Sequence, residues 1–123
     1  MNVRYLVCGL LVFSTPLVGA KTGERLTMRV SPVVAFAPAY LVVQTRIEAN
    51  DQNRSIEIIA ESGEFYRSSE MPLNGDQAPR SSRFEFRGLP GGRYTVAAVL
   101  KGTTEVLALA HQEINVVETP RGR

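Results

Sequence analysis

His111 is the single histidine of the chain, and it is the first residue to consider for acid–base chemistry. A catalytic base needs a nucleophile and an orienting acid beside it. Serines are present, but none lies in the Gly-x-Ser-x-Gly pattern of a nucleophile elbow. Alternation places His111 near Leu107 and Leu109, a setting typical of a partly buried or surface histidine. The sequence therefore predicts no catalytic residue, and we expect a chain that is not an enzyme.

Residues that bind metals are also sparse. A structural zinc site needs about four Cys, His or acidic ligands. The chain has one histidine and one cysteine, Cys8, which are too few for the common forms of such a site. Calcium needs only oxygen ligands, so Asn50, Asp51 and Asn53 allow the hypothesis of a weak calcium site. Ordinary turn chemistry explains the same residues, and we favour it. We predict no metal and no cofactor. Residues 53–55 formally fit a glycosylation sequon.

The charges exclude a nucleic-acid-binding surface of the usual kind. The chain has 14 basic and 12 acidic residues, for a net charge of +2. They are interspersed along the sequence, whereas a nucleic-acid surface needs a basic stripe. We therefore expect no nucleic-acid partner.

The first twenty residues have the three parts of a secretory signal peptide. Arg4 supplies the positive charge, residues 6–13 are mostly apolar, Pro16 breaks the segment, and residues 18–20 fit a cleavage site. The apolar run is too short to span a bilayer. An uncleaved membrane anchor is the alternative. Cleavage after Ala20 removes the only cysteine, and the loss of Arg4 lowers the net charge to +1. We predict a periplasmic or secreted protein with no stable membrane span.

Residues 21–123 alternate between apolar and polar side chains, with turn residues between the runs. Leu41, Val43, Thr45 and Ile47 are one such run, and they predict a strand with one apolar face. About seven short strands of this kind predict one all-β domain over 21–123, an antiparallel β-sandwich of immunoglobulin-like type. Residues 118–123 are expected to be a frayed tail.

The segment from Ser69 to Ser82 is the least regular part of the domain, and it is predicted to be a long loop. The residues before and within its start, Tyr66, Arg67, Ser68 and Ser69, are a candidate surface for binding a sugar or a peptide. An ordinary edge strand is the alternative interpretation of these four residues.

Residues 84–96, FEFRGLPGGRYTV, carry the most specific motif of the chain. The segment resembles the corner between strands E and F of fibronectin type III domains, and it is similar to carboxypeptidase-regulatory-like sandwiches. The resemblance implies a structural corner formed by Leu89, Pro90, Gly91 and Tyr94. The Tyr94 ring would join the core, and its hydroxyl would bond a backbone group a few residues upstream. The resemblance implies a fold and no activity.

These observations predict an exported, non-enzymatic β-sandwich module that contacts a protein or a glycan in the bacterial cell envelope. The alternative is a structural subunit that joins a larger surface assembly by strand addition.

Overall fold

The computed structural model describes residues 25–118, and these residues form eight β-strands and one short 3-10 helix. The predicted signal peptide, residues 1–20, and the tail residues 119–123 lie outside this range. Within 25–118 no helix is long and apolar enough to cross a membrane. The strands are β1 (Leu26–Ser31), β2 (Val34–Phe36), β3 (Ala39–Ile47), β4 (Ser55–Glu61), β5 (Tyr66–Pro72), β6 (Ser81–Leu89), β7 (Gly92–Lys101) and β8 (Val106–Val117).

The strands form two sheets that face each other, so the prediction of an all-β sandwich is confirmed. The three-stranded sheet has the order β1-β3-β6, and the five-stranded sheet has the order β2-β8-β7-β4-β5. Every pairing is antiparallel except that of β2 with β8, which is parallel. The structure thus has eight strands and one parallel pair where seven antiparallel strands were expected.

The core lies between the two sheets because each strand buries alternate side chains. In β3 the buried residues are Ala39, Leu41, Val43, Thr45 and Ile47, and the residues between them point outward. β4 and β7 do the same from the opposite sheet. Fully burying one large aliphatic side chain contributes about 1.5–3 kcal/mol to folding. The alternation therefore both selects the strands and joins the sheets.

β2 follows β1 after Pro32, but it does not continue β1 in the same sheet. The strand instead leaves the three-stranded sheet and pairs with the end of β8. Pro32 explains the break, because a proline has no N–H to donate to the β1–β3 ladder. Val34 pairs with Asn115 and Phe36 pairs with Val117. The N-terminal part of the domain therefore contributes to both sheets.

The long loop predicted from Ser69 to Ser82 is mostly absent. β5 continues to Pro72, a 3-10 helix spans Gly75–Gln77, and β6 begins at Ser81. The full length of this strand is not apparent in the sequence because residues 66–70 are all exposed. The three-stranded sheet leaves β5 uncovered, so neither face of β5 carries an alternating apolar pattern.

Candidate functional site

The corner between β6 and β7 is closed by Tyr94. This side chain is fully buried, and its hydroxyl donates a hydrogen bond to the Pro90 carbonyl at 2.7 Å. Its ring meets Phe65 edge to face, with centroids 5.9 Å apart. Burial raises the pKa of the Tyr94 hydroxyl, because the phenolate would lose its hydration. Tyr94 is therefore held as a neutral hydrogen-bond donor.

The remaining residues of the corner set the path of the chain. Leu89 is fully buried and ends β6, and only Pro90 and Gly91 lie between it and β7. Gly88 has a φ of +71°, a conformation that a residue with a Cβ adopts at a cost. The Gly91 N–H donates to the Glu118 carboxylate at 3.1 Å. These contacts serve to reverse the chain.

The four residues of the candidate binding surface lie on β5, but they divide between two faces. Their partners on β4 show this, since Arg67 pairs with the buried Ala60 and Tyr66 pairs with the exposed Glu61. Arg67 and Ser69 therefore share the inward side, whereas Tyr66 and Ser68 share the outward side. All four are exposed. One ligand cannot contact all four from one side of the sheet, and their binding role stays a prediction.

Arg67 has a structural contact that the sequence did not reveal. Its guanidinium donates a hydrogen bond of 2.6 Å to the Arg87 carbonyl on β6. It also lies over the Phe65 ring, 5.1 Å from the centroid. Arg67 thus links the free edges of the two sheets on this side of the sandwich.

His111 is exposed on the outward side of β8, opposite Ala97. The strand partners place Ser68 in the same row, in the order Ser68, Ile59, Ala97, His111. Three spacings of about 4.8 Å separate the histidine from that serine by roughly 14 Å. The structure therefore does not bring His111 and Ser68 into hydrogen-bonding range.

The polar segment from Asn50 to Asn53 forms a turn held by its own side chains. The Asn50 side-chain oxygen accepts the Gln52 N–H at 2.8 Å, which is an Asx-turn contact. Asn53 is fully buried, and its amide donates to the Glu48 carbonyl at 3.1 Å. The amide of the formal sequon is therefore engaged inside the protein. Residues 25–118 contain no group of three or more His, Cys, Asp or Glu placed to hold a metal.

An apolar patch at the β2 edge was missed by the sequence analysis. Val33, Val34, Phe36 and Val117 are exposed by 54%, 58%, 65% and 37%. The sequence signal for this patch is the apolar run of residues 33–36 after Pro32. Only Ala35 of β2 points toward the core. We call these four residues the β2 patch.

The outer edge of β2 also presents outward-facing backbone groups. The Val33 carbonyl accepts the Asn115 N–H at 3.0 Å, and the Ala37 N–H donates to the Val117 carbonyl at 2.8 Å. Since backbone groups alternate in direction along a strand, Val34 and Phe36 turn theirs away from β8. β2 is the last strand of its sheet, so no further strand in the described part of the chain pairs with that edge.

The edge of β1 is protected, in contrast to that of β2. The Gln112 side chain accepts the Val30 N–H and donates to the Val30 carbonyl, both at 3.1 Å. One amide side chain thereby replaces a neighbouring strand at this residue. Nothing in the sequence pattern marks Gln112, because its partner is 82 residues away.

Comparisons with known proteins give a fold and no family. No protein-family model matches the chain, and no curated protein matches it in sequence. Among solved structures, the superoxide reductase (neelaredoxin) of Ignicoccus hospitalis is similar, with a TM-score of 0.60, 16% identity, and 76% of this chain and 80% of that chain covered. A variant of that enzyme has a TM-score of 0.55 and 15% identity, with 75% of this chain and 79% of that chain covered. The CARDB domain of a Pyrococcus furiosus protein, in complex with di-metal ions, has a TM-score of 0.46 and 17% identity, with 75% of this chain and 87% of that chain covered.

These matches correct the prediction that the chain is not an enzyme. That prediction treated a sandwich without a recognised catalytic group as a non-enzymatic module, but superoxide reductases are enzymes with a similar fold. At 12–16% identity the likeness shows the fold alone. The chain is thus an immunoglobulin-like β-sandwich, and proteins of that architecture serve many functions, enzymatic ones included.

Proposed function

We propose that this chain is an exported module of the bacterial cell envelope that binds a partner protein by accepting an extended segment of that partner along β2. The observation that carries the proposal is the β2 edge. It combines outward-facing backbone groups at Val34 and Phe36 with exposed apolar side chains on the same two residues. Strand addition uses both features, since backbone bonds supply affinity and alternate side chains supply specificity.

The other edges of the sandwich support this choice. The Gln112 side chain hydrogen-bonds the backbone of Val30 on β1, and the Arg67 side chain hydrogen-bonds the backbone of β6 from β5. Exposed edge strands are commonly protected by charges or by covering groups. β2 has neither kind of protection among the described residues. A strand left open and apolar is therefore the best candidate for a partner contact.

Two features of the sequence support the wider context of the proposal. The pattern of residues 1–20 fits a cleaved secretory signal, which would deliver the domain to the periplasm or the exterior. The corner at residues 84–96 resembles that of fibronectin type III and carboxypeptidase-regulatory-like sandwiches. The hydrogen bond from Tyr94 to Pro90 is the contact that this resemblance implies.

The test is site-specific photo-crosslinking in a bacterial host that exports the full chain. A photoreactive phenylalanine analogue replaces either Phe36 or Tyr66, which are similarly exposed at 65% and 59% but lie at opposite edges of the five-stranded sheet. We expect a discrete cross-linked protein from position 36 and none from position 66. Mass spectrometry of the product distinguishes a partner protein from a second copy of the chain.

Three further variants test the role of the backbone. Val34→Pro removes an outward N–H, and Val34→Lys places a charge on the edge, so both should abolish the cross-link from position 36. Val34→Thr keeps the backbone and the side-chain shape, and it should retain the cross-link. A product from position 66 alone would assign binding to the β5 surface instead. Absence of any product from position 36, or a product unaffected by the proline and lysine variants, would refute strand addition.

A further inference from the structure

The outward side of the three-stranded sheet is strongly basic. In β1, β3 and β6, four arginines and one glutamate alternate with buried residues and therefore point outward. All five are exposed. We call this surface the basic face, and its charged residues are Arg29, Arg46, Arg83, Arg87 and Glu85. Its net charge is +3. The interspersed charges of the sequence hid this asymmetry, because strand pairing brings together residues that are distant in sequence.

Three of these arginines surround a shallow depression of about 580 Å³. Gln44 pairs with Arg29 on one side and with Arg83 on the other, while Arg46 pairs with Ser81 one row along. Arg46 is therefore diagonal to both other arginines, at roughly 7–8 Å between backbones. Like charges placed this closely repel one another unless an anion lies between them.

Only part of this positive charge is balanced within the described residues. The Glu85 carboxylate bonds Arg83 at 3.3 Å and Arg87 at 3.2 Å. Arg46 donates only to the Ser81 hydroxyl, at 3.4 Å, and Arg29 has no carboxylate partner in residues 25–118. Arg29 and Arg46 are thus the groups that an external carboxylate would neutralise.

The outward side of the five-stranded sheet has the opposite charge. It turns four carboxylates outward against one lysine and one arginine. We call it the acidic face, with a net charge of −2, and its charged residues are Glu57, Glu61, Glu70, Glu113, Lys101 and Arg93. Lys101 bonds Glu57 at 2.9 Å and Glu70 at 3.5 Å. Glu61 and Glu113 flank Thr95 in one row and have no cationic partner in residues 25–118.

We propose that the basic face binds the acidic face of a second copy of this chain. The two faces lie on opposite sides of one sandwich, so they cannot meet within a molecule, but they match between molecules. Glu61 and Glu113 supply the carboxylates that Arg29 and Arg46 lack. Half-buried Val99 and exposed Leu109 lie on the same face, in the row of Glu57, and they add apolar area to the contact. Such a contact is heterologous, so it adds copies head to tail.

This inference goes beyond the proposed function, because it uses neither the β2 patch nor the backbone of β2. The two are separable by experiment. A Val34→Pro variant should self-associate like the wild-type chain, whereas changes on the two faces should leave the cross-link from position 36 intact.

The test is sedimentation of the purified exported chain and of two complementary variants. Variant one carries Arg29→Glu and Arg46→Glu, so it keeps only the acidic face. Variant two carries Glu61→Arg and Glu113→Arg, so it keeps only the basic face. We expect the wild-type chain to associate with rising concentration, at least tenfold more weakly in 0.5 M than in 0.05 M salt. Each variant alone should be monomeric, because its two faces carry the same sign of charge. Their mixture should associate again, because each face of one variant is opposite in charge to the faces of the other.

A chain carrying all four substitutions serves as the control for folding and for charge, and it should recover self-association because both faces are exchanged. Far-UV circular dichroism checks that every variant is folded. Wild-type chain that stays monomeric at millimolar concentration in low salt would overturn the proposal. So would a mixture of the two variants that remains monomeric. Retention of wild-type monomer on immobilised polygalacturonate, lost in variant one, would instead assign the basic face to an acidic polysaccharide.

Discussion

Replacing Tyr94 with phenylalanine tests the corner most directly, because the change removes one oxygen and leaves the ring. The hydroxyl bonds the Pro90 carbonyl at 2.7 Å, and a typical hydrogen bond contributes about 0.5–1.5 kcal/mol to stability. Pro90 is exposed, so water can replace the lost donor at its carbonyl. We therefore expect Tyr94→Phe to lower the free energy of unfolding by about 1 kcal/mol. For a domain of this size that corresponds to a melting temperature roughly 4–8 °C lower.

Two companion variants define the scale. Tyr94→Ala removes the buried ring as well, and it should cost about 3–5 kcal/mol. Tyr66→Phe changes a tyrosine that is 59% exposed, and surface changes of this kind stay within about 0.5 kcal/mol. Chemical denaturation monitored by circular dichroism gives all three values. If Tyr94→Phe is no more destabilising than Tyr66→Phe, the hydroxyl does not contribute to the corner.

The same variant predicts a pH dependence. Burial raises the folded-state pKa of the Tyr94 hydroxyl above that in the unfolded chain. Its contribution is therefore complete below the unfolded-state pKa of about 10, and it is lost as the pH rises through the folded-state pKa. The stability difference between the wild-type chain and Tyr94→Phe should shrink above pH 10. A difference that is constant from pH 8 to pH 11 would contradict this account.

The Gln112 contact, the Gly88 backbone and the signal segment each give a further prediction. Gln112→Ala should lower the free energy of unfolding by about 1–3 kcal/mol, because both hydrogen bonds to Val30 are lost. If chemical denaturation gives a free energy of unfolding within about 0.3 kcal/mol of the wild-type value, Gln112 does not stabilise the β1 edge. Gly88→Ala should lower the free energy of unfolding by about 1–2 kcal/mol, because Gly88 has a φ of +71°. Gly88→Asn should lower it by less in the same assay, because asparagine tolerates this conformation better. Equal losses of stability in the two variants would show that the backbone conformation is not the cause. Chain exported by a bacterial host should have the mass of a protein that begins at Lys21, and a membrane-bound product that retains Cys8 would contradict cleavage.

The sequence was sufficient for those strands that bury one face against the other sheet. β3, β4 and β7 show the alternation of a half-buried strand, and the Leu-Pro-Gly motif before Tyr94 marks the turn between β6 and β7. β5 could not be predicted to its full length, because its exposure on both faces removes the periodic signal. The change of sheet at Pro32 was also hidden, since a proline shows where pairing stops and not where the chain goes next.

The candidate surfaces were less predictable than the strands. Tyr66, Arg67, Ser68 and Ser69 are adjacent in sequence, but pleating separates them onto two faces. Arg29, Arg46 and Arg83 are far apart in sequence, but strand pairing makes them neighbours. Surface chemistry in a sandwich depends on register between strands, and one sequence alone does not supply that register.

The unequal charge of the two outer sides has a consequence for how the molecule approaches other bodies. A net +3 on one side and −2 on the other gives the described domain a permanent dipole directed across the sandwich. Near an anionic layer this dipole turns the arginines toward the layer within a Debye length of about 8–10 Å. The five-stranded sheet, with its open edge at β2, then points away from the layer. Orientation at a charged boundary would thus decide which partners can reach that edge.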